Sequence, residues 1–159
     1  MTINFGYDKR QVIQALRYHF ISKKEIRIMI ILVNVFAALA LVLYALHKIT
    51  PAAFLINSFL WLLLMISLWF VLPGVVYRKA ETFKHSFTMY FNENDFTLEH
   101  TNGKRSWPYT ALANYKESPH FFHLYFDERS FLLVPKTAFA NADEASAFRH
   151  LLMEKVRTK

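Results

Sequence analysis

Two stretches of this chain carry no charge: Ile28 to Leu46, 19 residues, and Ile49 to Tyr77, 29 residues. A bilayer's hydrocarbon layer of about 30 Å takes about 20 apolar residues at about 1.5 Å of helical rise each. The pattern therefore predicts a transmembrane helical hairpin over 26–77, with spans at 26–46 and 54–72. His47-Lys48-Ile49-Thr50-Pro51 reads as the turn between them. Pro73-Gly74 is expected to end the second span, because the residue before a proline avoids helical backbone. Asn34 and Ser67 fall at similar depths in their spans, which places them to share a hydrogen bond. No charged residue lies inside either span, so nothing in them suggests a proton relay or an ion path.

Ahead of the first span, residues 1–25 read as an amphipathic N-terminal segment. Its basic region is long and no small-residue cleavage site follows, unlike a secretory signal. A helix is expected from Asp8 to about Ser22, with Asp8 and Gln11 as the two halves of a capping box. Val12, Ile13, Leu16 and Phe20 form its apolar stripe. Such a helix can lie in the headgroup layer or pack its stripe on the soluble part of the chain. On the first reading Lys9, Arg10, Arg17, Lys23, Lys24 and Arg27 are the residues that meet the membrane surface.

After Glu81 the long apolar runs give way to alternation. Phe87, Met89 and Phe91 share one face of a strand, and Phe96, Leu98 and His100 share one face of the next. A two-residue turn at Glu93-Asn94 pairs Phe91 with Phe96 and Met89 with Leu98, so the apolar faces coincide. Asn102-Gly103 is a strong hairpin signal. With these two at the turn, Trp107 pairs with Leu98. Residues 112–117, 120–126 and 131–134 supply further strands. The tail reads as a helix capped by Asn141 and Glu144, with Ala145, Phe148, Leu151, Leu152 and Val156 on its apolar face. The fold class expected is a membrane α-hairpin plus an α+β soluble domain over 78–159. That domain is an antiparallel bent sheet of about six strands closed by a C-terminal helix. Phe96, Leu98, Trp107, Phe148 and Leu152 are its expected core.

Charge sharpens this picture. The chain carries a formal +7. Residues 1–27 hold six basic and two acidic residues, the inter-helix loop holds Lys48 alone, and residues 78–159 hold twelve basic and ten acidic. The excess thus flanks the first span rather than coating the soluble domain, which argues against nucleic acid binding. By the positive-inside rule both termini face the cytosol and the hairpin tip faces out. The expected location is the inner (plasma) membrane. The chain has no Cys, so it has neither disulfides nor thiolate chemistry. His120 and His123 stand three apart in a strand and so on opposite faces. With three glycines there is no phosphate-cradling loop. No catalytic residue, metal ligand or cofactor site is assigned, and the expectation is a protein that is not an enzyme. Trp107 reads as a core anchor, with a ligand platform as the alternative. Lys136 reads as a headgroup or partner contact, or as part of a strand closure.

Ser106-Trp107-Pro108-Tyr109, Asn114-Tyr115-Lys116-Glu117, Phe121-Phe122-His123-Leu124-Tyr125, Leu133-Val134-Pro135-Lys136 and Ala138-Phe139 together resemble the C-terminal domain of the YcxB-like family. The resemblance implies a bacterial membrane protein with a transmembrane hairpin before a small cytosolic domain of pleckstrin-homology-like (PH-like) fold. It supplies no reaction. Eukaryotic lipid-binding members of that fold hold inositol phosphates with basic residues around the first hairpin loop. Taken as Asn92-Glu93-Asn94-Asp95, that loop is acidic here, with only Lys104 and Arg105 nearby.

The function expected is a membrane-tethered protein-interaction or scaffold module, with a protein partner or a second copy of the chain. The alternative is a membrane-surface or lipid-sensing regulator that uses the basic N-terminal helix. No small-molecule substrate is implied.

Overall fold

The computed structural model describes residues 1–156. Residues 157–159, the end of the expected soluble domain, lie outside the described residues. The chain forms two compact units. One joins residues 1–15 to the chain from Ala80 onward; the other is Leu16–Lys79.

The first unit begins with a strand that the alternation did not announce. β1 (Thr2–Phe5) buries Ile3 and Phe5 and exposes Thr2 and Asn4. Four residues give only two alternations, and they precede a strongly helical stretch. β1 pairs antiparallel with β2 (Phe87–Phe91), setting Phe5 opposite Phe87 and Ile3 opposite Met89. β3 (Asp95–His100) follows in the expected register, with Phe91 opposite Phe96 and Met89 opposite Leu98. Asn92 N donates to Asp95 O across that turn. β4 (Gly103–Pro108) completes a sheet in the order β1-β2-β3-β4.

The β3–β4 register differs from the one read from Asn102-Gly103. Leu98 faces Arg105, and Trp107 faces Phe96. His100 pairs with Gly103, so the turn residues are Thr101 and Asn102. A type I′ turn needs positive φ at both central residues. Neither Thr101 nor Asn102 has it, and the only described non-glycine residue that does is His47. The slip is two residues, an even number, so Trp107 keeps its face.

After a 3-10 turn at Tyr109–Ala111, β5 (Asn114–Glu117), β6 (Phe121–Tyr125) and β7 (Phe131–Pro135) form a second antiparallel sheet. The expected single bent sheet of about six strands is therefore seven strands in two sheets, four and three. The C-terminal helix α5 (Ala142–Lys155) is present, and Asn141 Oδ1 accepts from Glu144 N at 2.8 Å. Glu144 Oε2 reaches back to Ala140 N rather than to the cap residue itself.

One core joins both sheets and α5. It includes Phe96, Phe122, Phe148 and Leu152, each fully buried. Phe148 packs on Phe91 and Phe122 with ring centroids 4.5 and 5.1 Å away. Leu98 and Trp107 are half-buried against this core. Burying a Phe or Leu side chain contributes about 1.5–3 kcal/mol.

The second unit holds two helices long and apolar enough to cross a membrane: α2 (Lys24–Ala45), and Pro51–Lys79 taken as one. The latter is α3 (Pro51–Ile66), a π-helical turn at Ser67–Val71, and α4 (Leu72–Lys79). Pro73 does not end this helix, contrary to expectation; the π-helical turn ahead of it accommodates the ring.

The turn between the helices is tightly built. Lys48 N donates to Leu43 O and His47 N to Tyr44 O, the paired bonds of a Schellman motif. His47 takes the left-handed position with φ 55°. Thr50 Oγ1 then caps α3 by accepting from Ala53 N, and Pro51 follows as its first residue. Tyr44 stacks on Phe54 at 4.6 Å across the hairpin. The expected Asn34–Ser67 bond is absent. Asn34 Nδ2 donates to Ile30 O of its own helix, and both Asn34 and Ser67 point outward.

Candidate functional site

The expected basic set divides between two situations. α1 (Lys9–Ser22) is capped by Asp8, whose Oδ1 accepts from Gln11 N at 3.0 Å. Its buried positions are Val12, Ala15, Leu16 and His19, a stripe at helical spacing displaced from the expected Ile13 and Phe20. Lys9, Arg10, Lys24 and Arg27 are exposed, and Lys23 is half-buried.

Arg17 is engaged within the chain. Its Nε donates to Trp69 O at 2.8 Å, and its guanidinium lies 5.4 and 5.2 Å from the ring centroids of Trp69 and Phe70. Trp69 lies in the π-helical turn Ser67–Val71, four residues before a proline that has no N–H to give the helix ladder. Arg17 adds a side-chain donor to the backbone there.

Lys136 is drawn into an internal network. Arg149 grips Glu117 in two-pronged fashion, Nε to Oε2 at 2.8 Å and Nη2 to Oε1 at 2.7 Å. Lys136 Nζ lies 2.6 Å from the same Oε1. The three residues come from α5, β5 and the turn after β7. They surround the buried ring of Phe122, with Lys136 and Arg149 at 5.5 and 6.0 Å from its centroid. The Arg149 hydrogen bonds hold the Glu117 carboxyl down at about 2, with Lys136 adding to the effect. Glu117 and Lys136 both fall in the segments that carry the family resemblance. Arg149 was missed because its partner lies 32 residues away in sequence.

Trp107 is half-buried, stacked on Phe96 at 5.7 Å and tilted against Phe126 at 5.4 Å, with Arg105 over its ring at 5.1 Å. Its inner face belongs to the core and its outer face to a basic edge.

An open groove of about 660 Å³ lies at one end of the four-stranded sheet, among Asn4, Gly6, Ser86, Thr88, Glu99 and His100. The rings of His85 and His100 sit 4.6 Å apart beside it. Nδ1 of His100 is buried without a hydrogen-bond partner among the described residues. Glu99 engages the Tyr90 hydroxyl, which raises the phenol's pKa. The lining includes no Lys or Arg, so it is not built to attract an anion. Sequence reasoning missed this groove because part of its wall, Asn4 to Gly6, comes from β1 and the residue after it. Among the described residues no group of three or more His, Asp or Glu side chains is placed to hold a metal ion.

The sheet edges are a further candidate surface. β4 hydrogen-bonds to β3 on one side only, and every residue from Gly103 to Ser106 is exposed. Lys104 covers Tyr90 at 4.9 Å. An open edge with a row of unpaired backbone groups is a template for another strand.

No match is found among curated proteins or among solved structures. The model of the family described as YcxB-like protein matches residues 91–152, from Phe91 at the end of β2 to Leu152 in α5, and over that segment the chain is similar to that family.

Proposed function

We propose that this chain is a membrane-tethered protein-interaction or scaffold module: a PH-like domain on the cytosolic face of the plasma membrane, anchored by its own helical insert. The pairing of β1 with β2 carries the reading. Phe5 and Phe87 are register partners, and both long apolar helices lie between them in sequence. A chain that leaves a domain, crosses a bilayer and rejoins the same sheet must cross an even number of times. Two spans satisfy that.

Other features agree. α2, at 22 residues, is about 33 Å long, enough for the hydrocarbon layer. Phe36, Leu55 and Phe59 are at least 60% exposed on these helices. So much open apolar surface suits lipid, not water. The basic flanks favour the cytosolic side for the domain. Four strands, then three, then a closing helix is the element order of a PH-like fold. With β1 counted, Asn92–Asp95 is the second strand connection and no longer the first. The first connection is the helical insert, which returns through Arg78, Lys79 and Lys84.

The interaction surface proposed is the basic β4 edge. The test is affinity purification of the full chain in mild detergent, as wild type and with Lys104→Glu and Arg105→Glu. A stoichiometric protein partner lost on charge reversal supports the reading. The lipid-sensing alternative rests on the exposed Lys9, Arg10, Lys24 and Arg27. Salt-sensitive binding to anionic vesicles with no protein partner would favour it instead.

A further inference from the structure

The outward side of α2 carries more than one stripe with the spacing of a helix-pairing seam, Leu32, Val35, Leu39, Val42 and Leu46 being one, and a polar residue marks out another. Ile31, Asn34, Ala38, Leu41 and Ala45 follow one another at intervals of three, four, three and four residues, the a/d rhythm of two helices packed side by side. All five are exposed, Ile31 at 55% and Leu41 at 57%. The residues of α2 turned toward α3 lie on a neighbouring stripe, which includes Ile30, Val33, Ala37 and Ala40 and is half-buried. The exposed seam is thus not the one that α3 uses.

Asn34 singles this face out. It is the eleventh of the 22 residues of α2, midway along the helix. On the membrane reading that is the centre of the hydrocarbon layer, where an unpaired polar group costs most. One amide hydrogen goes to Ile30 O, and the carboxamide oxygen has no partner among the described residues. A carboxamide both donates and accepts, so it can satisfy a second copy of itself. Copies inserted in one orientation present Asn34 at the same depth, so parallel pairing brings Asn34 to Asn34 without further adjustment. Ala38 and Ala45, one and three turns beyond, let two backbones approach closely.

We infer that α2 is a homodimerisation helix, pairing parallel with α2 of a second copy along Ile31, Asn34, Ala38, Leu41 and Ala45, with Asn34 joined to Asn34 at the bilayer centre. This rests on the proposed membrane-scaffold reading and names its partner as another copy of the chain. It also supplies the valence that a scaffold needs, because each dimer presents two domains.

The chain has no native Cys, so single cysteines report the contact cleanly. Full-length Ala38→Cys and Leu41→Cys should form disulfide-linked dimers in native membranes under mild oxidation. Phe36→Cys, 63% exposed but about 200° around the helix from Asn34, should not. Asn34→Leu should lower the dimer association constant about 3- to 30-fold, read by energy transfer between labelled copies in vesicles. Equal cross-linking at Phe36, or no dimer at any position, would overturn the inference. In the second case, a different protein co-purifying in stoichiometric amount would leave the scaffold reading standing, whereas a monomer with no partner would remove both. Dimers that persist unchanged in Asn34→Leu and link instead through Ser106→Cys on β4 would also overturn it, again without loss to the scaffold reading.

Discussion

Phe5 lies opposite Phe87 in one sheet, although both of the chain's long apolar helices come between them. The first unit is therefore not an appendage that follows the two long helices; its first strand precedes them. Ile3 is 2% exposed and Phe5 7%, so β1 contributes to the core and not only to the sheet edge.

It follows that a piece spanning 82–159 lacks a strand. That piece should melt poorly or not at all, because it leaves the β2 edge and the inner faces of Phe87 and Met89 uncovered. Residues 1–15 joined by a Gly-Ser linker to 80–159 should fold and unfold cooperatively. In that chain Ile3→Ala should cost about 2–5 kcal/mol, and Thr2→Ala, on the outer face, about 0.5 kcal/mol or less. Thermal melts followed by circular dichroism check all three.

The ion network predicts an acid-sensitive latch. Glu117 is held below its usual value, at about 2, so it binds its proton more weakly folded than unfolded. The stability it contributes is present above the ordinary carboxyl value, near 4.5, and is lost as pH falls toward about 2. Arg149 is 39% exposed, which reduces the effect. Glu117→Gln should cost about 1–2 kcal/mol at pH 7. The gap from wild type should close between pH 4.5 and pH 2 in denaturant titrations of the linked domain.

Much of this was legible in the sequence, and the rest fails for identifiable reasons. The β2–β3 register could be read because Phe87, Met89 and Phe91 meet Phe96 and Leu98 across a local turn. β1 could not, because its partner lies more than 80 residues away and its alternation is two residues deep. The β3–β4 register slipped by two because Asn-Gly was given the turn that Thr101 and Asn102 occupy. Pro73 was read as a stop because nothing local shows the π-helical turn Ser67–Val71 ahead of it, or that Arg17, 52 residues before Trp69, donates to the Trp69 carbonyl. The basic residues of the N-terminal segment could be found by type, but whether each faces solvent or a partner is a tertiary fact.

Arg17 and Pro73 should be energetically coupled. Arg17→Ala removes the side-chain donor to Trp69 O and should destabilise the second unit by about 1.5–3 kcal/mol. Pro73→Ala restores the backbone N–H, so Arg17→Ala should cost clearly less in that background. A double-mutant cycle on the detergent-solubilised full chain measures the difference. Equal costs in both backgrounds would show that the carbonyl is satisfied another way.

His47 predicts an improvement. It holds a left-handed conformation that costs about 1–2 kcal/mol for a residue with a side chain. His47→Gly should stabilise the hairpin turn, and His47→Val should weaken it, in steric-trapping or denaturant measurements on the full chain.

The central claim is that β1 and β2 meet on one side of the membrane with the helices inserted between them. Asn4 and Thr88 are directly opposed register partners whose side chains hydrogen-bond at 2.7 Å, so both lie on the same face of the β1–β2 pair. The decisive measurement is oxidation of the Asn4→Cys, Thr88→Cys double variant in native membranes, with each single variant labelled by an impermeant maleimide from either side. The account predicts an intramolecular disulfide, found as a cross-linked peptide by mass spectrometry, and labelling of both single variants from the cytosolic side alone. Cysteines that label from opposite sides, or that label from one side but never join, would contradict it.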